Sequence, residues 1–369
     1  MSARNILRLH DFTALRAELA QCAEPLYASG VHDVFASLEW FELLLLHGLG
    51  GPSQPVQLML LHDDARQNWV CLPLLGSPAS ISLSNYYSSL FSGLCWSTQG
   101  VASASMLPEP QDCLALCQCL RQQTPPCQVL NLSPLDSESP FFTHMRAALS
   151  QAGFWVDSYF CFGNWYLRVD SRSFANYYPT LPSALRHSIA RGQRRLQRHG
   201  PWHIRIQQAP DASLPKATAA FVQVYAQSWK SPEPQAQFIP ELIHLAATQG
   251  WLRLGLLYLD ERPVAAQLWL VKGAKAHIFK LAYVGGFERF SAGSVLTQAM
   301  MRHVLDVDQV QEVDYLTGDD AYKRDWMSHR RERRGLVAFA PDTVQGVWRA
   351  ARHFVGKWLK ARFARLKKA

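Results

Sequence analysis

The stretch WLRLGLLYLDERPVAAQLWLVKGAKAHIFKLAYVGGFERFSAGSVLTQAMMRHVL, residues 251–305, decides the fold. Residues 251–260, 263–273 and 274–284 each have the length and alternation of a strand, and the DERP and GAK turns between them allow only tight reversals. The third strand runs into a turn rich in small residues. From there the apolar positions recur at helical spacing, predicting a helix over 293–305. Upstream, WHIRIQQ (202–208) reads as a strand, with helices over 214–229 and 237–248. Downstream come a strand at EVDYLTG (312–318), a short helix in DAYKRDWMS and a last strand at GLVAFAP (335–341). The order is β-α-α-β-β-β-α-β-α-β. It predicts an α/β unit built on a mixed central sheet flanked by helices.

The first half of the chain alternates apolar helices with strand-like runs such as QLMLLHD (57–63) and NWVCLPLLG (68–76), and reads as loop around 77–110. Charge separates the halves. Residues 1–165 hold all eight Cys and six Arg, no Lys and thirteen acidic residues, a net of −7; residues 166–369 hold 31 basic and 16 acidic residues, a net of +15. The N-terminus lacks the uninterrupted apolar run of a secretory signal, so a cytoplasmic protein is expected. LEWFELLLLHGLGG (38–51), broken by Glu42 and His47, is shorter than the roughly 20 apolar residues of a membrane span and reads as a buried helix. Cys113, Cys117, Cys119 and Cys127 are irregularly spaced with no His among them, which argues for reduced thiols and against a metal site. None of the thirteen His stands at the spacing of a metal pair or nucleophile motif.

Seven segments resemble one branch of the GNAT acyltransferases, the CelD/BcsL-like and FemAB-like proteins: FASLEWFELLLLHG (35–48), SNYYSSLF (84–91), FGNWYLRV (162–169), LPSALRHSIARGQRRLQRHG (181–200), SWK (228–230), FERFSAGSVL (287–296) and DYLTGDDAYKRDW (314–326). Together they cover about residues 30–340. The resemblance implies tandem GNAT-like domains, drawn here as 1–165 and 166–341, followed by a helical tail, 342–369. It also implies transfer of an acyl group from a thioester, acyl-CoA or acyl carrier protein, to a small-molecule or envelope-linked amine or hydroxyl, without a metal. Two alternatives stay open: Fem-like aminoacyl transfer from tRNA, and a non-catalytic GNAT-fold scaffold.

A turn of small residues opening a helix offers unpaired N–H groups at the positive end of the helix dipole, which suits a pyrophosphate or phosphopantetheine. Arg289, Ser291, Ala292, Gly293 and Ser294 are the expected donor site, although Ser291 and Ser294 are equally good ordinary helix caps. The family pattern Q/R-x-x-G-x-G/A is altered here, because the glycine is displaced in Arg289-Phe290-Ser291-Ala292-Gly293-Ser294. That departure leaves the donor open among acetyl-CoA, longer acyl-CoA, acyl carrier protein and aminoacyl-tRNA.

Acyl transfer needs a base for the nucleophile, donors for the oxyanion and an acid for the departing thiolate. In DYLTGDDAYKRDW these roles are assigned to Asp319, Lys323 and Tyr322 respectively. Asp314 reads as a structural hydrogen-bond partner. Helical spacing places Arg191, Arg194, Arg195 and Arg198 on one face, opposite Leu185, Ile189 and Leu196, as an anion-binding stripe without the interleaved aromatics of a dedicated nucleic-acid binder. Tyr86 and Tyr87 are candidate acceptor contacts and equally good buried packing residues, and Trp229 and Lys230, which follow a helix and face the site from the other side, rank below Tyr322.

Residues 344–369 form an amphipathic, wholly basic tail: eight Lys or Arg and no acid. Such a helix suits either an anionic membrane face, placing the protein peripherally at the inner membrane, or the acidic first domain.

Overall fold

The computed structural model describes residues 4–28, 33–49, 55–63, 67–77, 80–84, 91–99 and 108–366. In the first half the elements are β1 (Arg4–Leu9), α1 (Phe12–Ala20), β2 (Tyr27–Ala28), α2 (Leu38–Leu43), β3 (Val56–Asp63), β4 (Asn68–Ser77), β5 (Ser80–Ser84), β6 (Leu94–Ser97), α3 (Pro110–Gln122), β7 (Val129–Asp136), α4 (Pro140–Gln151) and β8 (Trp155–Arg168). The second half follows with α5 (Phe174–Tyr177), α6 (Ser183–His199), β9 (Trp202–Gln207), α7 (Leu214–Ala226), α8 (Phe238–Thr248), β10 (Leu252–Leu259), β11 (Arg262–Lys272), β12 (Lys275–Tyr283) and α9 (Ala292–Asp306). It closes with β13 (Glu312–Asp314), α10 (Ala321–Arg324), β14 (His329–Phe339) and α11 (Val344–Leu366).

One sheet runs through the molecule in the order β1-β3-β4-β5-β7-β14-β8-β13-β12-β11-β10-β9, with β2 and β6 to one side. Its two ends mirror each other. From either edge, three antiparallel steps lead to one parallel step, β5 with β7 in the first half and β12 with β13 in the second. The last strand of each half then crosses over: β14 lies beside β7 and β8 beside β13. β8 and β14 pair with each other over eleven residues at the centre. The expected boundary between residues 165 and 166 therefore falls inside β8, and the tandem α/β units share a sheet by exchanging strands.

Buried ion pairs at the seam fix this exchange. Asp314 accepts from Asn164 Nδ2 at 2.6 Å and pairs with Arg331 at 2.5 Å, while Arg331 also reaches Glu312 at 2.7 Å and Arg333 reaches Asp136 at 2.8 Å. Lys275 lies 3.2 Å from Glu312. These neighbouring cations hold the Asp314 and Glu312 carboxyls below their usual range even though burial opposes it. They also explain where the last strand begins. The charged run His329–Arg334 precedes the apolar 335–339 and joins the strand because its arginines find carboxylates on β13 and β7.

The strand expected over 312–318 stops at Asp314. Asp314 Oδ1 accepts from the Leu316 amide at 2.7 Å, Asn164 donates to the Leu316 carbonyl at 2.9 Å, and Leu316 adopts φ +53, so the chain turns out of the sheet. Residues 38–48 are helical, α2 continuing as a π-helical turn over Leu44–Gly48, with Trp40, Phe41, Leu43, Leu44 and Leu45 buried and Leu46 exposed. β5 and β6 lie where the sequence reads as loop. All eight cysteines are free.

Candidate active site

β12 and β13 pair through only three residues, Lys275 with Glu312, Ala276 with Val313 and His277 with Asp314. Beyond them β12 runs on to Tyr283, carrying an extra, unpaired residue at Phe279, whereas the other chain swings away to a bridge between Gly318 and Asn164. A parallel pair that splays apart leaves a wedge, and a cavity of about 480 Å³ opens there. Leu281 and Tyr283 line one wall, Tyr315 and Trp326 the other, and the start of α9 forms its end. Trp229 and Lys230, just beyond α7, close a further side.

The SAGS turn is built to leave amides free. Ser291 sits in the left-handed region at φ +50, and its hydroxyl bonds the Ser188 hydroxyl at 2.9 Å instead of capping the helix. Val295 is the first amide of α9 with an intrahelical partner, Ser291 O at 2.9 Å; among the described residues those of Ala292, Gly293 and Ser294 have none. The turn is braced from below. Buried Gln267 donates to Gly293 O at 3.0 Å and to Thr297 Oγ1 at 2.8 Å, and accepts from Trp269 Nε1 at 2.9 Å. α6 presses on it from the side, where a Cβ at Gly192 would lie 2.3 Å from Phe290 O. Three free amides at a helix N-terminus fit a phosphate group.

The equivalent elements of the first half, β5, β7 and the start of α3, are arranged differently among the described residues. β5 and β7 stay paired over five residues, and Glu109 and Asp112 form a capping box at the start of α3, Asp112 being held by Arg4 at 3.1 Å. Carboxylates already occupy the amides a phosphate would use.

Tyr322 on α10 faces the cavity, with its ring edge-on to Tyr315 at 5.7 Å. Burial, followed by the nearby Asp320 carboxylate, pushes its hydroxyl up to about 12, so it stays protonated across the physiological range. Lys230 is pulled below the usual lysine range by burial and then by Lys280, which pairs with Glu233 at 2.6 Å. Trp229 stacks obliquely on Tyr283 at 4.3 Å.

Of the residues expected to form the site, Ser291, Ala292, Gly293, Ser294, Trp229 and Tyr322 meet around this cavity. Asp319 points elsewhere: Arg330 grips both its oxygens at 2.6–3.0 Å and Trp165 Nε1 donates at 2.8 Å, which keeps its carboxyl low and occupied. Two carboxylates line the cavity instead, its neighbour Asp320 beside Tyr322 and Glu288 on the turn before α9. Lys323 is buried beneath Tyr315 with its amine on Thr317 O and 3.5 Å from Asp320, so it cannot reach a ligand as an oxyanion contact. Arg289 lies outside the cavity over the Phe290 ring. Arg191, Arg194, Arg195 and Arg198 form an exposed face of α6 beside the turn, Arg195 donating to Arg289 O at 2.6 Å. Tyr86 and Tyr87 fall outside the described residues.

Gln267, Tyr283 and Asp320 were not singled out from the sequence. Gln267 had a signal, being the one polar side chain inside the apolar run VAAQLWLV. Among the described residues, no three His, Cys, Asp or Glu converge on a metal-sized site.

Residues 183–324, from α6 to α10, match the family model described as an acetyltransferase (GNAT) domain. No curated protein matches the sequence. The crystal structure of FemX superposes with TM-score 0.53 at 10% identity, over 93% of this chain and 99% of that one. A conserved protein of unknown function from Bacteroides thetaiotaomicron gives 0.51 at 11% identity, over 91% and 100%. A tandem GNAT protein from the clavulanic acid biosynthesis pathway gives 0.49 at 11%, over 92% and 100%. Residues 183–324 thus match a GNAT-type acetyltransferase domain, and the chain as a whole shares its fold with FemX.

Proposed function

We propose that the chain is an acyltransferase that moves an acyl group from a thioester donor, acyl-CoA or acyl carrier protein, to an amine or hydroxyl of a small-molecule or envelope-linked acceptor. One observation carries this reading: the wedge between β12 and β13 brings the free amides of Ala292, Gly293 and Ser294 and the hydroxyl of Tyr322 to a single cavity. In this reading the amides hold the carrier's phosphates, and the pantetheine arm lies along β12. The acceptor nitrogen or oxygen attacks the thioester carbonyl carbon. A C–N or C–O bond forms, the C–S bond breaks, Asp320 takes the proton from the attacking atom and Tyr322 supplies one to the departing sulfur. No covalent intermediate on the enzyme is required.

The exposed arginines of α6, next to the turn, favour a donor that extends beyond a nucleotide, which keeps Fem-like transfer from an aminoacyl-tRNA as the second reading. Native mass spectrometry of the chain with acyl-CoA, acyl-loaded carrier protein and charged tRNA in turn separates these. Binding of either thioester supports the proposal, binding of tRNA alone supports the second reading, and binding of none leaves a scaffold.

A further inference from the structure

α11 is docked inside out. An amphipathic helix on a globular protein normally turns its apolar stripe to the core. Here the contacting side is Gly346, Ala350, His353 and Lys357. A Cβ on Gly346 would lie 2.1 Å from Ala340 O, Ala350 packs on Val129, Val337 and Phe339, and His353 and Lys357 both reach Asp157, at 2.8 and 2.7 Å. At 100° per residue the opposite arc carries Val344, Val347, Trp348, Val355, Trp358 and Leu359, and all six are exposed, Val344 by 91% and each Trp by 58%. Ion pairs, small residues and the Phe354 ring, 6.1 Å from Phe339, hold this helix to the sheet, and most of its hydrophobic side faces outward.

Six apolar side chains in one outward stripe call for an occupant. Arg352 borders the stripe on one side, and the sequence from 344 to 369 has eight Lys or Arg and no acid. Two copies meeting through this face would bring +8 against +8, which disfavours a dimer. An anionic surface with an apolar interior satisfies both the charge and the stripe, and tryptophans at the boundary suit its headgroup level. We infer that the outward face of α11 docks the protein on an anionic lipid bilayer, the helix lying in the interface while Asp157 keeps it on the sheet. Among the described residues no helix is long and apolar enough to cross a membrane, so the contact is peripheral.

Flotation of the full chain with vesicles tests this. Vesicles of phosphatidylcholine alone are compared with vesicles in which phosphatidylglycerol replaces part of it. The chain binds the anionic vesicles at least about tenfold more tightly than the neutral ones, and loses most of that difference when salt is raised to about 0.5 M. Val355→Ser with Trp358→Ser removes apolar side chains of the outward arc and leaves Trp348, which lines the cleft between α11 and the sheet, in place, so binding falls by about tenfold or more while the thermal melt moves little. Equal binding to both vesicle types, unchanged binding by the double variant, or a tryptophan-dependent dimer in light scattering would each overturn the inference.

Discussion

Gly293→Asp is the sharpest perturbation of the donor site. A Cβ at Gly293 would lie 3.3 Å from Tyr283 Cδ1, so the side chain enters the cavity with a shift of a few tenths of an ångström. The fold is not weakened, because glycine is a poor helix former and a carboxylate in a helix's first turn is favourable. For a bound phosphate the consequences are severe. A carboxylate about 4 Å away repels it by about 4 kcal/mol at an effective dielectric of about 20, and each charge-assisted bond from a displaced amide forfeits about 1.5–3 kcal/mol. Even half of that sum raises Kd by more than about 10²-fold. Calorimetry with coenzyme A, paired with a thermal melt, reads both quantities. Gly293→Ala, which adds bulk without charge, stays within a few-fold of the parent. Parent-like affinity in Gly293→Asp would refute the phosphate cradle.

Tyr322→Phe lowers turnover by about 10²-fold or more with little change in donor affinity, as steady-state kinetics would read. Asp320→Asn costs a similar factor whereas Asp319→Asn, away from the cavity, costs less than about threefold; the reverse order would return the base to Asp319. Gln267→Leu leaves Trp269 Nε1 without its acceptor, while Gly293 O keeps the Thr297 hydroxyl at 2.9 Å, and lowers stability by about 1–3 kcal/mol in a denaturant titration. The seam carboxylates Asp314 and Glu312 have folded values below their unfolded ones, so their contribution is complete above about pH 4–5 and is lost as pH falls further. Acid unfolding should therefore be shallower in Arg331→Met, which removes one of the two cations, Lys275 being the other, that both carboxylates share. Tyr322 is shifted the other way, and its contribution is lost only as pH rises from about 10 through about 12.

The second half was legible because its meander and helices obey clean local periods. The strand exchange was not, since β8 and β14 pair residues more than 160 positions apart and nothing local tells a strand which half it joins. β14 was read late because a strand opening on His-Arg-Arg-Glu-Arg-Arg is apolar only after Arg334; its partners Glu312, Asp314 and Asp136 are distant in sequence. At the site, small residues opening a helix pointed to the turn that borders the cavity. Choosing between Asp319 and Asp320 depended on one step of a bend, and adjacent side chains on a bend point to different places. Amphipathicity in α11 was plain, yet which face it docks follows from Gly346 meeting Ala340 and from Asp157, neither of which a wheel reveals.

A crystal structure of the chain with an acyl-CoA bound tests the central claim most directly. The account predicts the pantetheine arm in the wedge between β12 and β13, pyrophosphate oxygens within about 3 Å of the amides of Ala292, Gly293 or Ser294, and the thioester sulfur within reach of the Tyr322 hydroxyl. A carrier seated against the first half, or in the second half with its phosphates away from the start of α9, would contradict it.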